Sequence, residues 1–272
     1  MTDLDVNTLR DAYDARLRAA VPDPVPPGVS VERDGPLIRI RGLDHGGFLT
    51  YRTLDGLTGA DLDALIARQR ALFTELDEPV EWKLHGHDEP ADLADRLRAA
   101  GFEPEEQETV VIGPVAPLAD TLPVPPDGVR LREVTARADL DRIVAMTEVV
   151  WNEPRGWLAD GLEKEIAADP KALTVVVAEA GQSDDAPDGE VVSAGWIRYV
   201  PGSGFATLWG GSTLPEWRHR GIYRSLVAYR ARLASVRGCT MLQVDASDAS
   251  RPILQRLGFV AVTTTTPYVY TP

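Results

Sequence analysis

Cysteine is almost missing: Cys239 is the only one among 272 residues. No intrachain disulfide can form, and no thiolate metal site can be built. The four histidines, His45, His85, His87 and His219, show no metal-ligand spacing. No metal is expected. Long hydrophobic runs are missing too, and a membrane helix needs roughly 20 apolar residues. The start, MTDLDVNTLRDAYDARLRAA, mixes charges and lacks the apolar core of a signal peptide. A cytoplasmic protein is expected. Basic residues are in deficit, 28 Lys and Arg against 42 Asp and Glu, for a net charge of −14. Such a surface repels nucleic acid and anionic membranes, so neither is an expected partner.

What remains is an ordinary folding chain. Hydrophobic residues make up 44% and charged residues 26%, enough for a sizeable core. The length suits two domains. The clearest break is GPVAPLADTLPVPPDG at Gly113–Gly128, with proline at 114, 117, 123, 125 and 126. Proline lacks an amide donor and stiffens extended chain, so this stretch reads as a linker. The boundary falls near Asp120, giving domains 1–120 and 121–272. A second cluster, Pro22–Pro27, follows an N-terminal helix over Leu4–Ala19.

Similar phrases follow the two proline clusters: GVSVERDG at Gly28 and GVRLREVT at Gly128. Each half also ends a helix alike, with RLRAAGF at Arg96–Phe102 and LQRLGF at Leu254–Phe259. Together they point to a loose internal duplication.

In the second half the patterning predicts a strand at Val129–Val134 and a helix capped by Asp139 that runs to Trp151. A helix follows at Trp157–Ala168, then strands at Leu173–Glu179, Glu190–Val200 and Phe205–Leu214, with a polar turn at Gly181–Gly189. Gly210-Gly211 inside the last strand marks a bulge or a close approach. A helix opens at Gly221, with Ile222, Leu226, Tyr229, Leu233 and Val236 as its apolar stripe. Then come a strand at Thr240–Asp245, a helix at Ser250–Leu257, and strands at Phe259–Thr264 and Pro267–Tyr270. The fold class is α/β (α+β) with a mixed sheet.

Chemistry concentrates at Thr213–Arg224, TLPEWRHRGIYR. A strand ends there, a short loop follows and a helix begins. First-turn amides have no intrahelical partner, and the helix dipole adds partial positive charge. That combination suits phosphate. Gly221 lets an oxyanion approach the backbone closely. The local charge agrees. Between Pro201 and Val244 the basic residues are Arg218, Arg220, Arg224, Arg230, Arg232 and Arg237, and the only acid is Glu216. The competing reading is a helix with arginines on its solvated face.

Arg218-x-x-Gly221 at a strand–loop–helix junction resembles the coenzyme-A pyrophosphate loop of the GNAT N-acetyltransferase family, Gln/Arg-x-x-Gly-x-Gly/Ala. DASDASRPILQRLGF resembles that family's later strand-to-helix segment. The resemblance covers Val129 to the C-terminus. It implies two GNAT-like domains, each a mixed, largely antiparallel twisted sheet flanked by helices. It also implies acetyl-CoA as co-substrate and a small-molecule or peptide amine as acceptor. The coenzyme loop would comprise Arg218, His219, Arg220, Gly221, Ile222, Tyr223 and Arg224, the amides of 220–224 holding the pyrophosphate. Thr213 and Leu214 would pair with the pantetheine arm like an added strand. An amide near Leu214 would polarise the thioester carbonyl. Ser247 would stand where many members have an asparagine that touches coenzyme.

Two positions depart from the family's pattern. Tyr223 holds the usual Gly/Ala place, and Leu254 stands where many members carry the tyrosine that protonates the leaving thiolate. Water, a thiol leaving directly or another tyrosine would serve instead; Tyr268 is the candidate tyrosine, with a packed strand aromatic as the alternative. Asp245 is the candidate general base, with a helix or turn cap as the alternative. The N-terminal half resembles a worn copy. Its turn LDGLTGAD lacks Arg-x-x-Gly and carries Asp55 and Asp61, so no coenzyme is expected there. Two other functions compete with acyl transfer: a non-catalytic acyl-CoA sensor or scaffold, and a pure interaction module.

Overall fold

The computed structural model describes residues 5–21, 24–43, 46–181 and 189–272. Most of the polar turn expected at Gly181–Gly189 lies outside them. The chain packs as two compact units that are discontinuous in sequence. Unit 1 comprises residues 1–111, 245–255 and 260–272, and unit 2 comprises residues 112–244 and 256–259.

Unit 1 opens with helix α1 (Val6–Arg16), where Asp5 caps by accepting from the Thr8 amide at 2.9 Å. Strands β1 (Ser30–Asp34), β2 (Leu37–Leu43) and β3 (Gly46–Thr50) form an antiparallel meander. Helix α2 (Gly59–Leu76) then crosses over, and β4 (Val80–His85) pairs parallel to β3. Helix α3 (Leu93–Ala99), the short β5 (Glu103–Pro104) and β6 (Glu108–Pro114) follow. Leu62, Leu65, Ile66 and Phe73 of α2 recur at helical spacing and are all buried. They pack with Trp82, Leu93, Leu97 and Phe102 into one core.

Unit 2 begins at Ile112, just ahead of the proline-rich stretch, and here the expected linker is corrected. Residues Val115–Ala119 form helix α4, with Val115 and Leu118 buried. The Val115 amide donates to the Thr240 carbonyl at 2.9 Å. Proline is tolerated because a first helical turn needs few amide donors.

The rest of unit 2 runs β7 (Val129–Val134), α5 (Arg137–Trp151), α6 (Trp157–Ala168), β8 (Leu173–Ala180), β9 (Glu190–Tyr199), β10 (Phe205–Thr213), α7 (Ile222–Val236) and β11 (Met241–Ala246). The strands β7, β8, β9 and β10 are antiparallel neighbours in that order, and β11 pairs parallel to β10. Asp139 does not cap α5, which starts two residues earlier on Ala136. Its carboxylate instead accepts from Arg132 and Arg142. Both arginines, with Arg130, also hold Glu179, whose side chain is fully buried.

The last elements are α8 (Arg251–Arg256) and β12 (Val260–Tyr270). One strand replaces the two expected there. Although β12 ends the chain, it packs in unit 1, antiparallel to β4 and β5.

Both halves share the order antiparallel strands, crossover helix, parallel strand, short helix. The repeated Gly-Phe phrase has a physical basis. Gly101 and Gly258 follow α3 and α8 at φ 89° and 94°, where side chains are strained. Phe102 and Phe259 next turn into the cores, at 0% and 3% exposure.

Candidate functional site

The ladder between β10 and β11 is short. It pairs Phe205 with Met241, Ala206 with Leu242 and Thr207 with Gln243, and β10 continues to Thr213 without further pairing to β11. Among the described residues this leaves an open backbone edge from Leu208 onward. On its other side β10 slips against β9 between Trp209 and Ser212, where Gly210 and Gly211 have no register partner. Both glycines are sterically required. A Cβ on Gly210 would stand 1.9 Å from the Trp196 ring, and one on Gly211 would stand 2.6 Å from the Tyr223 ring. Gly210 also has a φ of 64°. The bulge predicted from Gly210-Gly211 is present.

After β10 the amide of Leu214 donates to the Val192 carbonyl at 3.0 Å. Of the amides near Leu214 that were expected to serve the thioester, that of Leu214 itself is therefore already taken. Strand backbone alternates, so the Thr213 peptide groups face the opposite, open edge. The Arg218 Nε donates to the Thr213 carbonyl at 3.1 Å from that side.

A short 3₁₀ turn, Pro215–Trp217, leads to the helix start. Two left-handed residues shape it: His219 at φ 62° and Gly221 at φ 84°. Gly221 is the N-cap and supplies no side-chain hydrogen bond. The first protein-bound amide of the helix is that of Ser225, which donates to the Gly221 carbonyl at 3.0 Å. Among the described residues no protein group accepts from the amides of 219–224. Arg218, His219, Arg220, Gly221 and Arg224 are exposed. Arg220 stacks over the Trp217 ring at 4.7 Å, and Arg224 has no protein partner among the described residues. The result is a cup of unpaired donors rimmed by guanidinium groups, the arrangement an oxyanion needs.

Ile222 is buried beneath the cup. Tyr223 lies against Gly211, and burial raises its phenol pKa. The helix stripe is also adjusted: Val236 is 87% exposed, while Arg230 is 1% exposed on the buried face. Thus Arg230 does not belong with the exposed arginines around the helix start. Its signal was hidden because charge alone does not reveal which helix face an arginine occupies.

The remaining expected site residues pack in unit 1. Asp245 pairs with Lys83 on β4. Burial opposes the Lys83 charge, but the Asp245 carboxylate outweighs it and raises the ammonium pKa. Glu108 is half-buried: burial first, then the field of Asp245, push its pKa up to about 7. Ser247 opens α8, its carbonyl accepting from the Arg251 amide at 2.9 Å. Leu254 is 0% exposed. Tyr268 is 3% exposed and belongs to the unit 1 core, which corrects its reading as a catalytic acid: a strand aromatic packed on that side has no open face.

In unit 1 the corresponding ends of β3 and β4 are covered by α1 and the residues after it. The Thr50 hydroxyl donates to the Arg18 carbonyl at 2.8 Å, and Tyr13 and His85 hydrogen-bond at 2.9 Å. Arg18 is ion-paired to Asp88 and lies 4.8 Å over the Tyr51 ring. His85 is held by Tyr13, and His87 by Thr263 and Asp14, and among the described residues no cluster of three or more metal-ligating groups occurs. Nor is any helix of those residues long and apolar enough to cross a membrane.

Comparison with known proteins fits this geometry. Residues 140–259 match the Acetyltransferase (GNAT) family. A GCN5-related N-acetyltransferase from Kribbella flavida superposes with a TM-score of 0.65 at 16% identity, covering 100% of this chain and 97% of that one. A tandem GNAT protein from the clavulanic acid biosynthesis pathway superposes with a TM-score of 0.61 at 17% identity, covering 99% and 95%. A functionally unknown conserved protein from Staphylococcus epidermidis gives 0.62 at 15% identity, covering 92% and 96%. No curated protein matches. At such identities the superpositions speak for fold alone, and they do so over both halves. This chain carries a domain of the Acetyltransferase (GNAT) family at residues 140–259, within a fold that is GNAT-like in its N-terminal half as well.

Proposed function

We propose that this protein transfers an acyl group, acetyl in the simplest case, from acyl-CoA to a primary amine. The observation that carries the reading is the set of unpartnered amides at 219–224 beside exposed Arg218, Arg220 and Arg224. These groups would hold the coenzyme pyrophosphate. The open edge of β10 at Thr213 would pair with the pantetheine arm as a strand pairs with its neighbour. The acceptor is a small-molecule or peptide amine, and the cytoplasm is where acyl-CoA would meet it. The worn loop and the covering α1 support a unit 1 without coenzyme.

In the reaction the neutral amine attacks the thioester carbonyl carbon, and the carbonyl oxygen becomes an oxyanion. The carbon–sulfur bond then breaks, the thiolate of CoA leaves and takes a proton, and the amine nitrogen loses one. Asp245 is held by Lys83 and Leu254 is in the core. The reading therefore gives both proton transfers to water rather than to these positions. Orientation and oxyanion stabilisation would supply the rate.

Calorimetric titration with acetyl-CoA, followed by thiol-release assays over an amine panel, tests the proposal. Absence of binding at millimolar acetyl-CoA would sink it. The lack of a tyrosine at the position of Leu254 favours one second reading, a non-catalytic acyl-CoA sensor. That reading expects binding with no thiol release above hydrolysis for any amine.

A further inference from the structure

Arg230 is the least expected side chain in unit 2. It is a cation with 1% exposure in the middle of α7. Among the described residues its hydrogen-bond partners are all neutral carbonyls: Leu226 at 3.1 Å, Trp196 at 3.2 Å and Trp209 at 3.3 Å. Burial pushes its pKa down to about 10, with Tyr223 acting in the opposite direction. A buried charge without a counter-ion is costly. The surroundings are nonetheless shaped to admit it. A Cβ on Gly195 would lie 2.8 Å from the Nη1 atom. The Trp196 Nε1 is also buried, and among the described residues it has no hydrogen-bond partner.

The place of contact is informative. Nη1 grips the Trp209 carbonyl at the point where β10 leaves register with β9. The Trp209–Gly210 peptide is trans, because the one cis bond among the described residues is Glu89–Pro90. In a trans planar peptide the N–H points opposite to the C=O. With its carbonyl turned towards Arg230, this peptide turns the Gly210 N–H away from α7. Hydrogen bonding to a charged donor also polarises the peptide and strengthens its N–H as a donor.

We infer that Arg230 is a positioning residue for acyl transfer: it fixes the Trp209–Gly210 peptide so that the Gly210 N–H is held ready for the thioester carbonyl oxygen, and for the oxyanion that oxygen becomes. The inference rests on the acyl-transfer reading. It assigns the donor that Leu214 cannot supply. It also accounts for a buried cation whose missing counter-charge develops only during the reaction, on the far side of one peptide group.

The test uses the full chain and acetyl-CoA labelled with ¹³C at the carbonyl. Calorimetry gives affinity, and difference infrared spectroscopy gives the stretch of the bound carbonyl. In the wild type the band shifts to lower frequency on binding. In Arg230→Met the shift falls by half or more while affinity changes less than about threefold, because the phosphate cup is untouched. Arg230→Lys restores part of the shift. Gly195→Ala displaces the guanidinium without removing the charge, and it carries the test if Arg230→Met does not fold; it too loses the shift. An unchanged band in a folded variant that binds acetyl-CoA overturns the inference and leaves the acyl-transfer reading standing. Succinyl-CoA binding tenfold tighter than acetyl-CoA, with the advantage lost in Arg230→Met, would overturn it differently, making Arg230 a ligand for an acyl carboxylate. A wild type that binds no acetyl-CoA removes both readings together.

Discussion

The amide of Leu214 donates to the carbonyl of Val192 at 3.0 Å, and this bond sets which way the end of β10 faces. Because strand backbone alternates, it commits Leu214 to β9 and leaves Thr213 to the open edge. The facing of this strand end is thus set by one backbone hydrogen bond between two apolar residues, neither of which offers a reactive group.

Gly221→Asp should weaken acetyl-CoA binding by about tenfold to a hundredfold, which is about 1.4–2.8 kcal/mol. A carboxylate there would face the phosphate and cap the amides itself. Gly221→Ala should cost less affinity, since its Cβ meets nothing within 4 Å. It should still destabilise the fold by about 1–2 kcal/mol at the left-handed φ. Calorimetry and urea unfolding separate the two effects.

Arg224→Ala should lower affinity and flatten its salt dependence. Its guanidinium is exposed and unpaired within the described protein, so its contribution to an anionic ligand is screened by salt. Titrations in low and high sodium chloride should converge for the variant more than for the wild type.

Glu179→Gln should destabilise unit 2 by about 3–5 kcal/mol, the loss expected when a buried ion cluster is broken. Burial raises the Glu179 pKa, but hydrogen bonds from Arg132, Arg130 and Arg142 outweigh it and hold the value below the usual range. A lowered folded value means the stabilisation is present above the ordinary carboxylate pKa and lost as pH falls through the folded one. The wild-type Tm should therefore fall on acidification, and the variant should lose this part of the dependence.

Glu108→Gln should act with the opposite sign. Its folded pKa of about 7 is raised by burial and then by Asp245, so the folded chain holds this proton more tightly than the unfolded one. The wild type is most stable, as far as this group is concerned, at low pH and loses that stability as pH rises through about 7. The variant should gain on the order of 1 kcal/mol at pH 8 and nearly nothing below the ordinary carboxylate range, after allowance for solvent screening. Tm measured across pH checks it.

Leu254→Tyr should not create a catalytic acid. Leu254 is 0% exposed, and adding a phenol to a filled core costs about 1–3 kcal/mol. A lower Tm without faster thiol release is the expected result. Faster release would show that this side chain can reach the reacting atoms.

Much of the architecture was legible in residue order. The run Leu173–Glu179 reads as a strand because β-branched residues fill it, and the observed strand, Leu173–Ala180, is buried throughout. The helix start at Gly221 follows from one glycine between arginines, and Gly210-Gly211 marks the interruption of β10. Local chemistry decides such features, so local sequence displays them. The proline-rich stretch was misread at Val115–Ala119 because a short helical turn there is stabilised by its distant partner Thr240.

The sequence by itself determined the alternation of strands and helices, the phosphate-suited loop and the resemblance of its two halves, since each depends on neighbours along the chain. Only the tertiary structure decided that Tyr268 and Leu254 are core residues, that Asp245 is tied to Lys83, and that Arg230 is buried beneath the bulge. The physical reason is common to all of them. Burial and ion pairing depend on residues far apart in sequence, so identical side chains become ligand, core or counter-ion according to what the fold brings against them.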